Sequence, residues 1–126
     1  MDFSLKIQIL KKAGMKKQKT IDQYSNWTEK VWFSSNQKPN HLSDLSIMGF
    51  GLGGETGEVL ELLKKQIRDG TYDSKNLRKE LGDVLYYWAR ICKEFGFKPS
   101  SIMNMNIDKI ESRRAKNTLR GSGNDR

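Results

Sequence analysis

Residues 44–69 read DLSIMGFGLGGETGEVLELLKKQIRD, and their periodicity decides the fold. Met48, Leu52, Glu55, Val59 and Leu62 recur at alternating spacings of four and three, a single core-facing stripe of an α-helix. Glu55 stands in the middle of that apolar seam, and Glu58 lies beside it on the same side, three residues on. Ser43 or Asp44 is expected to cap the helix, and Asp69-Gly70 to end it. Five glycines fall between residues 49 and 57. Each costs a helix about 1 kcal/mol against alanine, which points to close helix approach or to room for a ligand beside Glu55. No strand precedes them and no Gly-Lys-Ser/Thr follows, so neither a dinucleotide loop nor a P-loop is read here.

Working outward, the next helix is expected from Asp73-Ser74 through Phe95, stopping at Gly96. Its stripe is Leu77, Leu81, Val84, Trp88, Ile91 and Phe95, with Glu80 and Asp83 flanking it and Tyr87 one turn beyond Asp83. After Pro99, Ser100 or Ser101 should cap a helix reaching about Ala115. Upstream, a helix should run from Thr20 or Asp22 to about Phe33, carrying Tyr24, Trp27 and Val31 at helical spacing. Residues 34–41 read as a loop because Pro39 rules out helix there. Residues 2–13 are expected to form a short amphipathic helix with Phe3, Ile7 and Leu10 on one side, and Gly14 to Lys19 a linker. Strand-like alternation is hard to find. The expectation is an all-α, four-helix-bundle-like domain at 20–115, between a basic extension at 1–19 and a tail at 116–126.

Only 36% of the 126 residues are apolar and 30% are charged. A monomer would bury little, and small helical chains of this kind complete their core by self-association. The net charge of +8 is uneven. Residues 1–41 carry +5, residues 42–112 carry −1 and residues 113–126 carry +4, so basic ends flank an acidic middle. That pattern can draw in a polyanion that also needs a metal. The N-terminal lysines by themselves are read as a solubilising segment. Cys92 is the only cysteine, in a helix-packing context, and reads as a buried inert thiol in a reducing compartment. With no signal-peptide run and no long apolar stretch, a cytoplasmic protein without a membrane partner is expected.

The two apolar stripes, once packed, bring Glu55 and Glu58 face to face with Glu80 and Asp83. Four carboxylates in a half-buried groove repel one another and lose hydration. Hard divalent cations relieve that, which argues for Mg²⁺ or Mn²⁺. A di-iron site would need Glu-x-x-His pairs, and His41, the only histidine, lies in the loop. Glu61 turns away from the stripe and reads as surface. On the last helix Asn106, Lys109 and Arg113 share a face that is either a phosphate clamp or a solvated charged surface.

The stretch GLGGETGEVLELLKK followed by KELGDVLYY resembles the MazG-like nucleotide pyrophosphohydrolases, whose signature is E-x-x-E, a spacer, then E-x-x-D. Here it reads Glu55-x-x-Glu58, 21 intervening residues, and Glu80-x-x-Asp83. The resemblance runs from about Tyr24 to the C-terminus, where NIDKIESR and RGSGNDR also fit. It implies an all-α fold working as a homodimer or homotetramer, with the four acids binding the Mg²⁺ that carries a nucleoside triphosphate. It further implies Tyr87 near the nucleotide and Lys109 and Arg113 near the phosphates, with Asn106 as companion. Lys65, with Lys64, follows the first motif as in relatives. Trp27 and Trp32 read either as a base-stacking surface or as core.

The reaction expected from this resemblance is hydrolysis to the monophosphate and pyrophosphate. Glu58, backed by Glu55, is the carboxylate assigned to receive the water's proton. Two other readings stand beside it. One is a non-enzymatic basic helical module for nucleic acid or a protein partner, which leaves Glu55 in the seam unexplained. The other is a relative acting on phosphoribosyl-ATP or an alarmone.

Overall fold

The computed structural model describes residues 2–12, 17–33 and 40–126. The last residue of the 2–13 helix reading, the linker reading at 14–16 and the loop reading at 34–39, Pro39 included, lie outside them, as does the Leu10 side chain. Among the described residues five helices follow in order: α1 (Phe3–Lys12), α2 (Ile21–Val31), α3 (Leu42–Asp69), α4 (Ser74–Glu94) and α5 (Pro99–Ala115). No strand occurs among the described residues, so the chain is all-α. None of these helices is long and apolar enough to cross a membrane.

Local chemistry explains most of the boundaries. Thr20 and Gln23 close a capping box at the start of α2, the Thr20 hydroxyl accepting from Gln23 N at 3.2 Å and Gln23 Oε1 accepting from Thr20 N at 3.0 Å. Asp73 caps α4 by accepting from Asn76 N at 3.0 Å. Gly70 (φ 72°) and Gly96 (φ 68°) take the left-handed conformation that turns the chain away after α3 and α4. Two caps differ from the sequence reading. α3 is capped by His41, whose Nδ1 accepts from Ser43 N at 3.3 Å, rather than by Ser43 or Asp44. α5 begins at Pro99, because proline lacks the N–H that a first-turn position would leave unpaired anyway. Ser100 therefore lies inside the first turn. Its N–H and hydroxyl donate to the Asp22 carboxylate at 2.9 and 2.7 Å, fastening α5 to α2. These bonds hold the Asp22 carboxyl below its ordinary range.

α4 is the central element, packing on α3 along one side and on α2 along another, while α5 rests on α2. The α2–α4 contact departs from expectation. Ser25 and Thr28, not Trp27 and Val31, form the buried face of α2. Small side chains allow the close approach in which the Ser25 hydroxyl donates to the Ala89 carbonyl at 3.0 Å, with Ala89 wholly buried. α4 is likewise rotated from the reading of its stripe. Leu77, Val84, Trp88 and Ile91 are half-buried as expected, but Leu81 and Phe95 are exposed and Glu80 takes an inward position. Met48, Ala89 and Cys92 are buried in the single chain. Cys92 is a free thiol whose pKa burial pushes up, as suits an inert packing residue.

Candidate metal centre

The stripe that positions Glu55 is α3's inward face. Met48 is buried, and Leu52, Glu55, Val59 and Leu62 are all half-buried. The opposing face of α4 carries Glu80, half-buried, and Asp83, exposed. Carboxylate oxygens of Glu55, Glu80 and Asp83 all lie within 4.8 Å of one another. Burial raises the Glu55 pKa first, and the charges of Asp83 and Glu80, a hydrogen bond with Glu80 and the Glu58 charge raise it further. Three hard oxygen donors from two helices, crowded enough that burial and neighbouring charge raise the pKa of one of them, are a donor set that suits a divalent cation. Glu58 is exposed and stands outside this tight trio, near enough for its charge to act on Glu55.

A row of aromatic rings adjoins the acids. Tyr24 and Trp27 of α2 lie 5.5 Å apart, Trp27 meets Tyr86 edge-on at 6.4 Å, and Tyr86 meets Tyr87 edge-on at 5.3 Å. Burial raises the Tyr24 pKa, with smaller upward pushes from Tyr86 and from Asp83, so the row reaches the acidic cluster. Tyr87 and Trp27 are thus brought together, bridged by Tyr86. The sequence reading missed Tyr86 and gave Tyr24 no part in the site. The signal was present: Tyr86 and Tyr87 follow Asp83 by three and four residues, and Tyr24 precedes Trp27 by three.

Gly51 is explained by this row. A Cβ there would overlap the Tyr87 ring, lying 2.6 Å from its Cδ1, whereas a Cβ at Gly49, Gly53, Gly54 or Gly57 would meet nothing. Gly51→Ala is therefore expected to destabilise the protein by about 1–3 kcal/mol, because overlap outweighs the gain in helix propensity. Gly49→Ala should instead stabilise by about 0.5–1 kcal/mol. Urea unfolding of the two variants checks this; equal stabilisation by both would show that Tyr87 does not rest on α3.

The other expected substrate contacts have partners or surroundings of their own. Lys65 is exposed and pairs with Glu61 at 4.0 Å, and Glu61 also pairs with Lys64. Trp32 is taken up by Arg90, whose guanidinium carbon is 5.6 Å from the Trp32 ring centroid and which pairs with Glu94. Asn106 and Lys109 are exposed on α5, which packs on α2 rather than α3. Arg113 does not share their exposure. It is buried, and its Nη2 donates to the carbonyls of Gly123 and Asn124 at 3.2 and 3.0 Å. Within one chain, then, Glu55, Glu80 and Asp83 converge and the aromatic row joins Trp27 to Tyr87, while Lys65 is engaged with Glu61 and Arg113 with the C-terminal carbonyls.

The sequence model of the MazG nucleotide pyrophosphohydrolase domain matches residues 45–118, which hold both acidic motifs. The gene 37 protein of Mycobacterium phage L5 is 34% identical over 90 residues, covering 68% of this chain and 79% of that protein. No solved structure matches. The chain belongs to the MazG nucleotide pyrophosphohydrolase domain family.

Proposed function

We propose that this protein is a Mg²⁺-dependent nucleoside triphosphate pyrophosphohydrolase that releases the monophosphate and pyrophosphate, serving nucleotide-pool cleaning or balance in the cytoplasm. The observation that carries the reading is the convergence of Glu55, Glu80 and Asp83 from two helices, where burial, and then the charges of its neighbours, raise the Glu55 pKa. Glu55, Glu80 and Asp83, joined by Glu58, would hold the metal. Bound there, Mg²⁺ or Mn²⁺ supplies Lewis-acid stabilisation of charge on the phosphates and lowers the pKa of a water. Water attacks the α-phosphorus, the bond to the β-phosphate oxygen breaks, and pyrophosphate leaves. Glu58, exposed and outside the trio, accepts the proton that the water loses. The aromatic row offers Trp27 and Tyr87 to the nucleoside.

Asn106, Lys109 and Lys65 complete this site from a second copy of the chain in a dimer or tetramer. That assignment follows from the packing of α5 on α2 rather than on the acid-bearing α3, from the exposure of all three residues, and from the small core. A related pyrophosphate-containing substrate, such as phosphoribosyl-ATP or an alarmone, would use the same centre.

Pyrophosphate release from a panel of nucleoside triphosphates with Mg²⁺ is the direct test. No turnover of any of them, together with tight salt-sensitive DNA binding, would favour a nucleic-acid module instead. Glu58→Gln should lower kcat by about 10²–10⁴-fold, the usual contribution of a positioned general base, while Mn²⁺ binding persists. Normal turnover by that variant would remove Glu58 from the proton-accepting role.

A further inference from the structure

α1 takes no part in the helix packing that joins α2, α3, α4 and α5. Among the described residues, no hydrogen bond or ion pair links it to them. Its start is set locally, the Asp2 carboxylate accepting from Ser4 N at 3.2 Å. A helix of 10 residues without packing is marginal in water, so this one depends on whatever covers it.

The side chains of α1 describe that cover. Phe3 and Ile7 stand one turn apart in one row, and Leu5 and Ile9 one turn apart in another. All four are exposed, from 38% for Ile7 to 77% for Phe3. Ser4 and Gln8 form the polar stripe on the remaining side. Lys6 falls between the two apolar rows, where its long stem can lie along them while the ammonium reaches water. The apolar side therefore covers more than half of the circumference. A single partner helix meets a narrower stripe than this, whereas a face so broad suits immersion in an apolar layer.

Charge narrows the choice further. Residues 1–19 hold six lysines and one acid, Asp2. Five of the six, Lys11, Lys12, Lys16, Lys17 and Lys19, follow the apolar rows, and Lys17 and Lys19 are exposed. Such a run is attracted to an anionic surface. The segment holds no arginine, and its one aromatic, Phe3, belongs to an apolar row rather than to the lysines. Bidentate phosphate clamps and base-stacking platforms, the usual means of holding nucleic acid, are therefore missing from it.

We propose that residues 2–19 bind an anionic lipid surface. α1 lies in the interface with Phe3, Leu5, Ile7 and Ile9 among the acyl chains, and the lysines that follow meet the headgroups. The expectation of no membrane partner rested on the lack of a spanning segment, and a helix lying in the interface needs none. The proposal does not depend on hydrolysis at the acidic centre.

The test is flotation of the full chain with vesicles of phosphatidylcholine alone and of phosphatidylcholine mixed with phosphatidylserine. Partition onto the mixed vesicles should exceed that onto the neutral ones by at least about tenfold, and high salt should remove most of the difference. Phe3→Asp with Ile7→Asp should lower binding to mixed vesicles by about tenfold or more, and Lys17→Glu with Lys19→Glu by a similar factor. Both double variants should melt with the wild type, because α1 packs on no other helix. Equal binding to the two kinds of vesicle, no binding to either, or binding that survives the apolar substitutions would overturn the proposal. Salt-sensitive DNA binding by a chain that ignores vesicles would overturn it in favour of nucleic acid. A chain that ignores vesicles and loses subunits on Phe3→Asp with Ile7→Asp would overturn it in favour of a second copy.

Discussion

Glu55→Gln is expected to abolish pyrophosphate release, by at least about 10³-fold, and at the same time to raise the melting temperature of the metal-free protein. The first effect follows because several kcal/mol of transition-state charge stabilisation depend on a metal held in place. The second follows because Glu55 shares a half-buried space with Glu80 and Asp83, oxygens of the three lying within 4.8 Å. Without a cation, ionised Glu55 is opposed by burial and by both neighbours. Glutamine keeps the shape and removes the charge, so the metal-free variant should melt roughly 2–5 °C higher near neutral pH. Because the folded-state pKa of Glu55 is raised, the stability linked to its proton is fully present below its ordinary value of 4.5 and is lost as pH rises through the folded value. The gap between variant and wild type should therefore be small in acid and widen with pH. Excess Mg²⁺ should reverse the order, since it binds the wild-type centre and not the variant. Melting curves across pH, with and without Mg²⁺, measure all of this. A metal-free variant that melts below the wild type at neutral pH would show that the three carboxylates do not oppose one another.

The sequence made the helices legible wherever a local interaction sets an end. Asp73 before Ser74, Asp69-Gly70 and Gly96 mark boundaries that the structure reproduces, because a cap or a left-handed glycine acts within a few residues. The inward stripe of α3 was legible for the same reason: its period depends only on the helix. Which face of a helix points where was less legible. α2 carries Tyr24, Trp27 and Val31 at helical spacing, yet it turns Ser25 and Thr28 inward, since the close approach to Ala89 excludes large side chains. Leu81 fits an apolar stripe by period but is exposed, and Glu80 takes the inward place. The acidic centre was readable as a spacing within each helix, and three of its four members converge. The burial of Arg113 was not readable, because its partners are backbone carbonyls of the tail, which carry no sequence signature.

Leu60→Glu with Ile67→Glu is expected to convert an oligomer into monomers, with loss of activity. α3 has two apolar faces. One packs on α4, and the other, opposite it, carries Phe50, Leu60 and Ile67, of which Phe50 is 79% and Ile67 86% exposed in the single chain. Gly53 and Gly57 lie along this second stripe with open space at their Cβ positions, so another helix could approach closely there. A helix with two apolar faces leaves one of them uncovered in the single chain, and a second copy presenting the same face would close the arrangement by two-fold symmetry. Burying a leucine or isoleucine side chain is worth about 1.5–3 kcal/mol, and in a symmetric dimer each position counts twice. Two buried positions converted to charge should thus raise the dissociation constant by at least about 10⁴-fold. Sedimentation at micromolar concentration separates the outcomes. A wild-type monomer would sink the second-copy assignment altogether, and an oligomeric double variant would move the interface to another face. A folded, monomeric variant that still hydrolyses at the wild-type rate would separate assembly from catalysis and place the missing cations elsewhere in the same chain. Under the second-copy assignment Asn106, Lys109 and Lys65 reach the acids only across that interface, so the expected result is that dissociation and inactivation occur together.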